Sequence, residues 1–371
     1  MSTNEKIIGV WHRPNCSERE RNLEELCRVI DEFKEAGINT VFLETFFHAT
    51  AVFRTKLVPY RTKLLDYTYG DYPDYLTAFV EEADKRGINV HAWVQDFYVG
   101  YKEETPLVKN HPEWMLINQS GGIRHTTEGQ GFGGYLFVDP ANPEVRDFLT
   151  SLYDEILTKV PKLKGLNLDY IRYPISVFQD ATDTGYTELS MRNFAEQQGL
   201  SLDEGNMRES LIALISEKNL EAEWIAHRAA YVTAFVKQIH TMVNDRHPGK
   251  LISTAVFSEV EMTYNLKKQN VRAWLDNGYI NMVTPMVYFY EADQVYDAVK
   301  KLTDMCSCVN CYSGLYTTFH NQTIDELESH IKVSLEGGAK GFVLFDSAKT
   351  FFEAKEDYRE YLRTHYGDSL K

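Results

Sequence analysis

The chain has 371 residues, of which 43% are apolar and 13% aromatic, and its formal net charge is −15 at pH 7. This composition supplies a large buried core and excludes a disordered chain. The negative charge argues against a nucleic-acid or anionic-membrane partner, because proteins that bind those surfaces concentrate Lys and Arg on one face. We therefore expect a folded protein whose partner is neutral or cationic.

The N-terminal stretch MSTNEKIIGV lacks the basic and apolar regions of a secretory signal, and no later run approaches the ~20 apolar residues of a membrane span. We therefore expect a soluble, cytoplasmic protein. An odd number of cysteines in a chain of this length predicts reduced thiols and no disulfide framework. They are Cys16, Cys27, Cys306, Cys308 and Cys311. The motif CSCVNC lacks a fourth ligand at finger-like spacing, so we predict no metal there and no cofactor elsewhere.

Apolar runs alternate with amphipathic stretches from the N-terminus onward. KIIGVWH predicts strand one, and NLEELCRVIDEFKEAG predicts a helix that ends at Gly37. INTVFLETF predicts strand two, a second helix begins at Pro73 and ends at Gly87, and INVHAWVQDF predicts strand three. The similarity of EAGINTVFLE to KRGINVHAWV indicates repeated βα units, which build a parallel sheet.

The same alternation continues beyond a Gly-rich and aromatic-rich insertion at about 97–141. A helix capped by Asn142 leads to strand four in GLNLDYIRYP, and a second insertion at about 175–220 precedes a long helix. LISTAVFSE, INMVTPMVYFY, CVNCYSGLY and KGFVLFD predict strands five to eight, with FFEAKEDYREYLRTHY as the last helix. Eight such units predict one α/β domain over residues 1–371, a single (β/α)8 TIM barrel with long loops after strands two, three and four.

Chemistry in such barrels lies at the C-terminal ends of the strands. Side chains alternate along a strand, so Asn167 and Asp169 share a face, and we place that face inward because burying both against the helices would be costly. Asp169 is therefore the leading catalytic candidate, the alternative being a structural acceptor for a loop or for Arg172. We predict that other polar residues ending the strands bind substrate. They are Glu44, Gln95, Asp96, Arg172, Tyr288, Tyr290 and Asp346.

The predicted loops around the opening are rich in Trp and Tyr, in HPEWML, YTYGDYPDY and GGIRHTTEGQGFGGYLF. Flat amphipathic rings beside carboxylates and amides suit a sugar, which has apolar C–H faces and a hydroxyl edge. Glycoside hydrolysis needs two carboxyl groups that flank the scissile bond. Glu259 on the neighbouring strand is the preferred partner of Asp169 and the predicted acid/base, with Glu44, Asp346 and Glu291 as alternatives.

The motifs GLNLDYIRYP, HAW, HPEW, DPANPEVRDFL and NMVTPMVY, in this order, resemble the glycosyl hydrolase-like 10 family from about Lys6 to Asp346. The resemblance implies a TIM barrel distantly similar to the α-amylase and α-galactosidase clans, with Asp169 as the catalytic carboxylate at the end of strand four. It also implies substrate-binding roles for His91, Trp93 and Arg172. Some bacterial members cleave peptidoglycan glycan strands stripped of their peptides.

The chain departs from the family in ways that affect these expectations. Family members often carry Gln at the position of Glu44, Asn near Gln95 and no carboxylate at Glu259, so the motifs do not assign the second catalytic group. Many members are exported, whereas this chain shows no signal, which favours an imported or recycled oligosaccharide as substrate. The sequence thus predicts a glycoside hydrolase that binds carbohydrate and neither nucleic acid nor membrane.

Two other interpretations of the sequence compete with a glycoside hydrolase. A metal-dependent barrel hydrolase needs clustered His and Asp ligands, and the sequence offers only His12 and a solitary His91. A catalytically silent carbohydrate-binding barrel would keep the aromatic side chains but lack a competent carboxylate pair. Substitution of Asp169 discriminates the last reading from an enzyme, because only an enzyme loses turnover while still binding sugar.

Overall fold

The computed structural model describes residues 6–306, 309–317, 322–353 and 357–367. Within them, eight parallel strands close into a barrel, which confirms the predicted (β/α)8 fold. The strands are β1 (Ile7–His12), β2 (Thr40–Phe47), β3 (Asn89–Gln95), β4 (Gly165–Asp169), β5 (Leu251–Phe257), β6 (Met282–Met286), β7 (Ser313–Tyr316, preceded by the short strand Asn310–Cys311) and β8 (Gly341–Phe345).

The barrel closes because β1 pairs with both β8 and β2 in parallel register. Close approach of neighbouring strands requires glycine at the start of β4, since a Cβ on Gly165 would lie 1.9 Å from the Leu251 carbonyl oxygen. Apolar side chains, most of them large, fill the interior, as expected of a packed barrel. They are Ile7, Trp11, Phe42, Trp93, Ala255, Met282, Tyr312 and Val343.

Helices connect and surround the strands. They are α1 (Leu23–Glu35), α2 (Tyr75–Lys85), α3 (Pro106–Asn110), α4 (Pro143–Lys159), α5 (Glu188–Gln198), α6 (Met207–Lys218), α7 (Glu221–Arg246), α8 (Val260–Lys267), α9 (Val271–Asp276), α10 (Ala292–Met305), α11 (Ile324–Glu336) and α12 (Tyr358–Tyr366). Asn142 caps α4 as predicted, accepting a hydrogen bond from the backbone N–H of Glu144. None of the helices in the described ranges is both long enough and apolar enough to cross a bilayer.

The structure differs from the sequence-based elements mainly at their ends. The helix predicted from Pro73 begins at Tyr75, because the Asp74 side chain caps it by accepting from the backbone N–H of Thr77. Strand six is confined to Met282–Met286. The last predicted helix is divided into a π-helical turn at Ala348–Phe352 and α12.

The two predicted insertions form layers beside the C-terminal end of the barrel. The first contains α3 and a three-stranded antiparallel sheet of Tyr98–Gly100, Tyr135–Phe137 and Arg124–His125. The second contributes α5 and α6, which pack on α7 around the buried ring of Trp224. Each insertion therefore has packed structure of its own.

The second insertion is fastened to α7 by a fully buried ion pair. Arg228 Nη1 donates to Asp183 Oδ1 at 2.7 Å and to the carbonyl oxygen of Thr184 at 2.6 Å. Both charged side chains are inaccessible to solvent. Removing one partner of such a pair leaves a buried charge without compensation, which is strongly destabilising.

We therefore expect Arg228→Ala to lower the free energy of unfolding by about 3–5 kcal/mol. Urea denaturation followed by circular dichroism measures this loss. Arg192→Ala is the matched control, since Arg192 pairs with Glu204 on the exposed surface and such pairs contribute little. Equal stability losses in the two variants would contradict the role given to the buried pair.

Candidate active site

The C-terminal opening of the barrel, called the barrel mouth below, gathers the side chains that end the strands. Asp169 ends β4, and the register pairs it with Gln95 at the end of β3. Trp93 lies one inward-facing position below Gln95 and belongs to the interior cluster. The alternation of β3 and β4 therefore directs Asp169 inward, as the sequence predicts.

Asp169 is held by hydrogen bonds to both carboxylate oxygens. The indole Nε1–H of Trp93 donates to Oδ2 at 3.0 Å, and the backbone N–H of Tyr170 donates to Oδ1 at 2.7 Å. Burial raises the pKa of Asp169, while these two bonds and the charges of Arg172 and Arg13 lower it and limit the rise. The carboxylate is thus oriented on a rigid strand end.

Arg13, which follows β1, lies between two further carboxylates of the mouth. Its Nε is 3.7 Å from Glu44 Oε1 and 3.5 Å from Asp346 Oδ2. The side chain of Glu44 is fully buried and also accepts from Arg61 Nη1 at 2.8 Å. Burial disfavours the charged form of Arg13, but the charges of Glu44 and Asp346, and more weakly of Asp169, raise its pKa. The mouth therefore concentrates three carboxylates around one guanidinium.

Aromatic rings form the wall beside this group. The Tyr288 ring lies 5.4 Å from Tyr316 and 5.8 Å from Phe345, measured between centroids. Burial raises the pKa of Tyr288 well above its usual value, and the charges of Asp169 and Asp346 raise it further. The phenol therefore stays protonated, and its environment contains both carboxylates.

Arg172 is engaged by a carboxylate that the sequence analysis did not single out. Glu128, in the first insertion, accepts from Arg172 Nη1 at 2.8 Å and from Nη2 at 3.0 Å, and Lys267 Nζ approaches it at 3.1 Å. Burial opposes ionisation of Glu128, but the two cations lower its pKa to about 2. Arg172 therefore fastens the insertion to the mouth, with its guanidinium 4.5 Å from the Tyr170 ring centroid. Nothing in the loop sequence distinguishes Glu128 from neighbouring polar residues.

Three of the residues predicted to bind substrate differ from the prediction in direction, in depth within the barrel or in hydrogen bonding. Asp96 is fully buried and accepts from the Tyr153 hydroxyl at 2.9 Å, so it points to the helix layer and corrects the expectation that it faces the mouth. His91 lines a cavity of about 500 Å³ at the N-terminal end of the barrel, where burial and the Lys164 charge lower its pKa to about 3. Gln95 is buried at the inward-facing end of β3, and no hydrogen bond reaches its Oε1 among the described residues.

The remaining predicted residues lie farther out. Glu259 is exposed, two residues beyond the end of β5 and immediately before α8. Tyr290 is 53% exposed, and its carbonyl oxygen accepts from His330 on α11. Glu291 is also exposed, just before α10. The structure does not connect these three to Asp169 by any hydrogen bond or ion pair between described residues.

One group of three potential metal ligands occurs in the described ranges, and it consists of His12, Cys16 and Glu20. His12 faces the helix layer, not the interior, and its Nε2 already lies 2.9 Å from Glu20 Oε1. The group is therefore organised as a hydrogen-bond network. Cys16, Cys27 and Cys311 are free thiols, and Cys308 lies outside the described residues.

Such a mouth can bind a neutral polyhydroxylated ring and supply charge to it. Carboxylates on separate strand ends can face a substrate from different sides, while Tyr288, Tyr316 and Phe345 cover an apolar face. Asp169 is placed to act as a nucleophile or to stabilise positive charge, and a second carboxyl group can transfer a proton.

Comparison with known proteins places this chain in a recognised family. The family model described as "Glycosyl hydrolase-like 10" matches residues 6–332. The chain is 25% identical over 283 residues to the protein named glycosyl hydrolase DigH of Escherichia coli strain K12, covering 73% of this chain and 60% of that protein. The chain thus spans about three fifths of the length of this relative.

Solved glycosidase structures share the fold at low sequence identity. The catalytic domain of β-amylase from Paenibacillus polymyxa superposes with a TM-score of 0.60 at 9% identity, covering 96% of this chain and 97% of that one. The endo-1,4-β-D-mannanase of Thermotoga petrophila RKU-1 superposes with a TM-score of 0.56 at 10% identity, covering 99% and 100%. These likenesses concern the barrel alone.

Proposed function

Because the chain belongs to the glycosyl hydrolase-like 10 family, we propose that it hydrolyses glycosidic bonds of an oligosaccharide or glycan strand at the barrel mouth. The observation that carries the proposal is the oriented, inward-facing carboxylate of Asp169 among further carboxylates and aromatic rings. Hydrolysis of this kind needs two carboxyl groups and a surface for the sugar ring, and the mouth contains both.

In this proposal Asp169 acts as the nucleophile or stabilises the positive charge of the oxocarbenium-like transition state. The hydrogen bonds from Trp93 and Tyr170 fix its oxygens before the substrate arrives, which avoids the cost of orienting them during the reaction. The indole and backbone N–H groups also favour the ionised form that either role requires.

We assign the proton transfer to Asp346. Its charge and that of Asp169 both act on Tyr288, and it shares Arg13 with Glu44, so the contacts tie it to the same mouth as Asp169. Glu44 is fully buried and bound by Arg61, and these contacts give it an orienting role. Glu259, which the sequence analysis preferred, remains a candidate for proton transfer. Its side chain is exposed, and no contact between described residues links it to Asp169.

Incubation of the full chain with a panel of oligosaccharides and glycan strands tests the proposal. The panel contains α-linked and β-linked oligosaccharides and peptide-free bacterial cell-wall glycans, and the products are separated by chromatography. We expect at least one glycan to be shortened by the wild-type chain and left intact by Asp169→Asn. Binding of a glycan without any shortening would identify a carbohydrate-binding barrel instead.

Trp93→Phe should move the acidic limb of the pH–rate profile to higher pH. The substitution removes the indole N–H that donates to Asp169, and this donor lowers the pKa of the carboxylate. Without it the pKa of Asp169 rises further, so the ionised form that acts in catalysis is lost at a higher pH as the solution is acidified. The pH dependence of kcat/KM measures the shift, with Trp114→Phe as a control because its indole bonds Glu144, away from Asp169. A limb that stays in place or moves to lower pH contradicts this role of Trp93.

A further inference from the structure

A chain of hydrogen-bonding side chains outside the barrel interior leads to a partly exposed cysteine. Glu20 Oε1 lies 2.9 Å from His12 Nε2, and Ser347 Oγ lies 2.7 Å from His12 Nδ1. Cys16 Sγ lies 3.5 Å from Ser347 Oγ and 3.9 Å from His12 Nδ1. We call Glu20, His12 and Ser347 the relay, and Cys16 is its outer end.

The relay is buried and rigid up to the thiol. Glu20, His12 and Ser347 are each at most 1% exposed, and Glu20 also accepts from the backbone N–H of Asn15 and from the Tyr75 hydroxyl, each at 2.6 Å. Burial disfavours the imidazolium of His12, but the Glu20 charge and the hydrogen bonds to Cys16 and Glu20 raise its pKa to about 10. Both ring nitrogens then carry a proton near neutral pH, one directed to Glu20 and the other to Ser347.

This arrangement places a cation and a hydroxyl donor beside the sulfur of Cys16. With His12 donating to Ser347 Oγ, the Ser347 hydroxyl is free to donate to Sγ, and the imidazolium charge lies within 3.9 Å of the sulfur. A neighbouring cation and a hydroxyl donor both stabilise a thiolate, which is the nucleophilic form of cysteine.

Cys16 also has room for a reagent. It lines a cavity of about 780 Å³ together with Arg13, Arg61 and Lys63, which are cationic, and Glu18 and Asp66. Arg13 and Arg61 are the two residues that hold Glu44 in the barrel mouth, so the cavity adjoins the mouth. Two relay residues are also adjacent in sequence to mouth residues. His12 precedes Arg13, and Ser347 follows Asp346.

We propose that Cys16 is a reactive thiol and a modification site for hydroperoxides, held by the relay beside the barrel mouth. The thiolate sulfur attacks the terminal oxygen of the hydroperoxide, and the S–O bond forms as the O–O bond breaks. The leaving group is hydroxide from hydrogen peroxide or alkoxide from an organic hydroperoxide, and it takes up a proton from water. The sulfur is oxidised by two electrons to a sulfenic acid and the peroxide is reduced. The added oxygen lies against Ser347 and His12, which displaces their neighbours Asp346 and Arg13 and thereby slows any reaction in the mouth.

Competitive labelling within one molecule tests the thiol. The full chain is treated with iodoacetamide near neutral pH, or with hydrogen peroxide followed by dimedone, and each cysteine is quantified by peptide mass spectrometry. We expect Cys16 to react about tenfold faster than Cys27, which is also partly exposed but lies on α1, where burial raises the pKa of its thiol. Equal rates at Cys16 and Cys27 would overturn the proposal.

Ser347→Ala tests the relay, because it removes the hydroxyl between His12 and Cys16. We expect labelling of Cys16 to slow about threefold or more while labelling of Cys27 is unchanged, with circular dichroism confirming the fold. An unchanged rate at Cys16 would show that the relay does not activate the thiol.

The effect on the mouth rests on the proposed glycosidase function. Peroxide should lower the turnover of the wild-type chain and leave that of Cys16→Ser unchanged. Equal loss of turnover in both proteins would refute the coupling between Cys16 and the mouth. Absence of any turnover before peroxide is added would refute the glycosidase function, and the labelling result would still stand.

Discussion

Asp169→Asn is expected to lower kcat by about 10³-fold or more while changing the affinity for the glycan by less than about threefold. The amide keeps the size and planar shape of the carboxylate, and its one oxygen can still accept from Trp93 or from the Tyr170 backbone, so the shape of the mouth is largely preserved. The negative charge and the nucleophilic oxygen are lost, and both act only as the transition state forms. Steady-state kinetics and calorimetric titration with an intact oligosaccharide separate the two effects.

Asp96→Asn is the matched control for this substitution. Asp96 immediately follows β3, next to the end of β4, but its side chain bonds Tyr153 in the helix layer. Burial raises its pKa well above the usual value and so favours the neutral carboxylic acid, which an amide resembles in size and polarity. We expect kcat close to that of the wild-type chain. A comparable loss in both variants would mean that Asp169 acts through the fold and not through chemistry.

Asp346→Asn is expected to lower kcat by about 10²-fold to 10⁴-fold, because it removes the group assigned to proton transfer. The amide oxygen can still accept from the backbone N–H of Lys349, as Oδ1 does now at 3.1 Å, so the start of the π-helical turn is retained. The loss should be smaller for substrates with activated leaving groups, which need less protonation as the bond breaks. Kinetics on a natural glycan and on an activated aryl glycoside provide the comparison.

Glu259→Gln distinguishes the two candidates for proton transfer. Glu259 is exposed beyond β5, so we expect its substitution to change kcat by less than about threefold on both substrates. The opposite pattern, a large loss in Glu259→Gln that is restored by the activated substrate and a small loss in Asp346→Asn, would return the role to Glu259.

The barrel and the direction of Asp169 are the parts that sequence predicts well, and both follow from periodicity. Helical spacing ending in glycine before an apolar run identifies each βα unit, as at Gly37 and Gly87. Alternation along β4 then places Asn167 and Asp169 on the inner face, where Asn167 accepts a hydrogen bond from Trp11 in the barrel interior. These predictions use local rules that the closed sheet does not alter.

Contacts made beyond the strand ends are the parts that sequence does not supply. Asp96 follows the inward-facing Gln95, so alternation continued by one residue already directs it outward to Tyr153. Glu259 lies two residues beyond β5, where alternation no longer holds, and it is exposed to solvent. Depth in the barrel depends on the stagger of neighbouring strands, which places His91 near the N-terminal opening. The pairing of Arg172 with Glu128 depends on how an insertion folds back over the mouth.

The origin of the oxygen at each new chain end tests the central claim most directly. The full chain and Asp169→Asn are incubated in parallel with a glycan in ¹⁸O-enriched water, and the reducing ends are analysed by mass spectrometry. Hydrolysis at a mouth that depends on Asp169 predicts new reducing ends carrying ¹⁸O with the wild-type chain and almost none with the variant. New ends appearing at the same rate with both proteins, or with neither on any glycan that the wild-type chain binds, would contradict it.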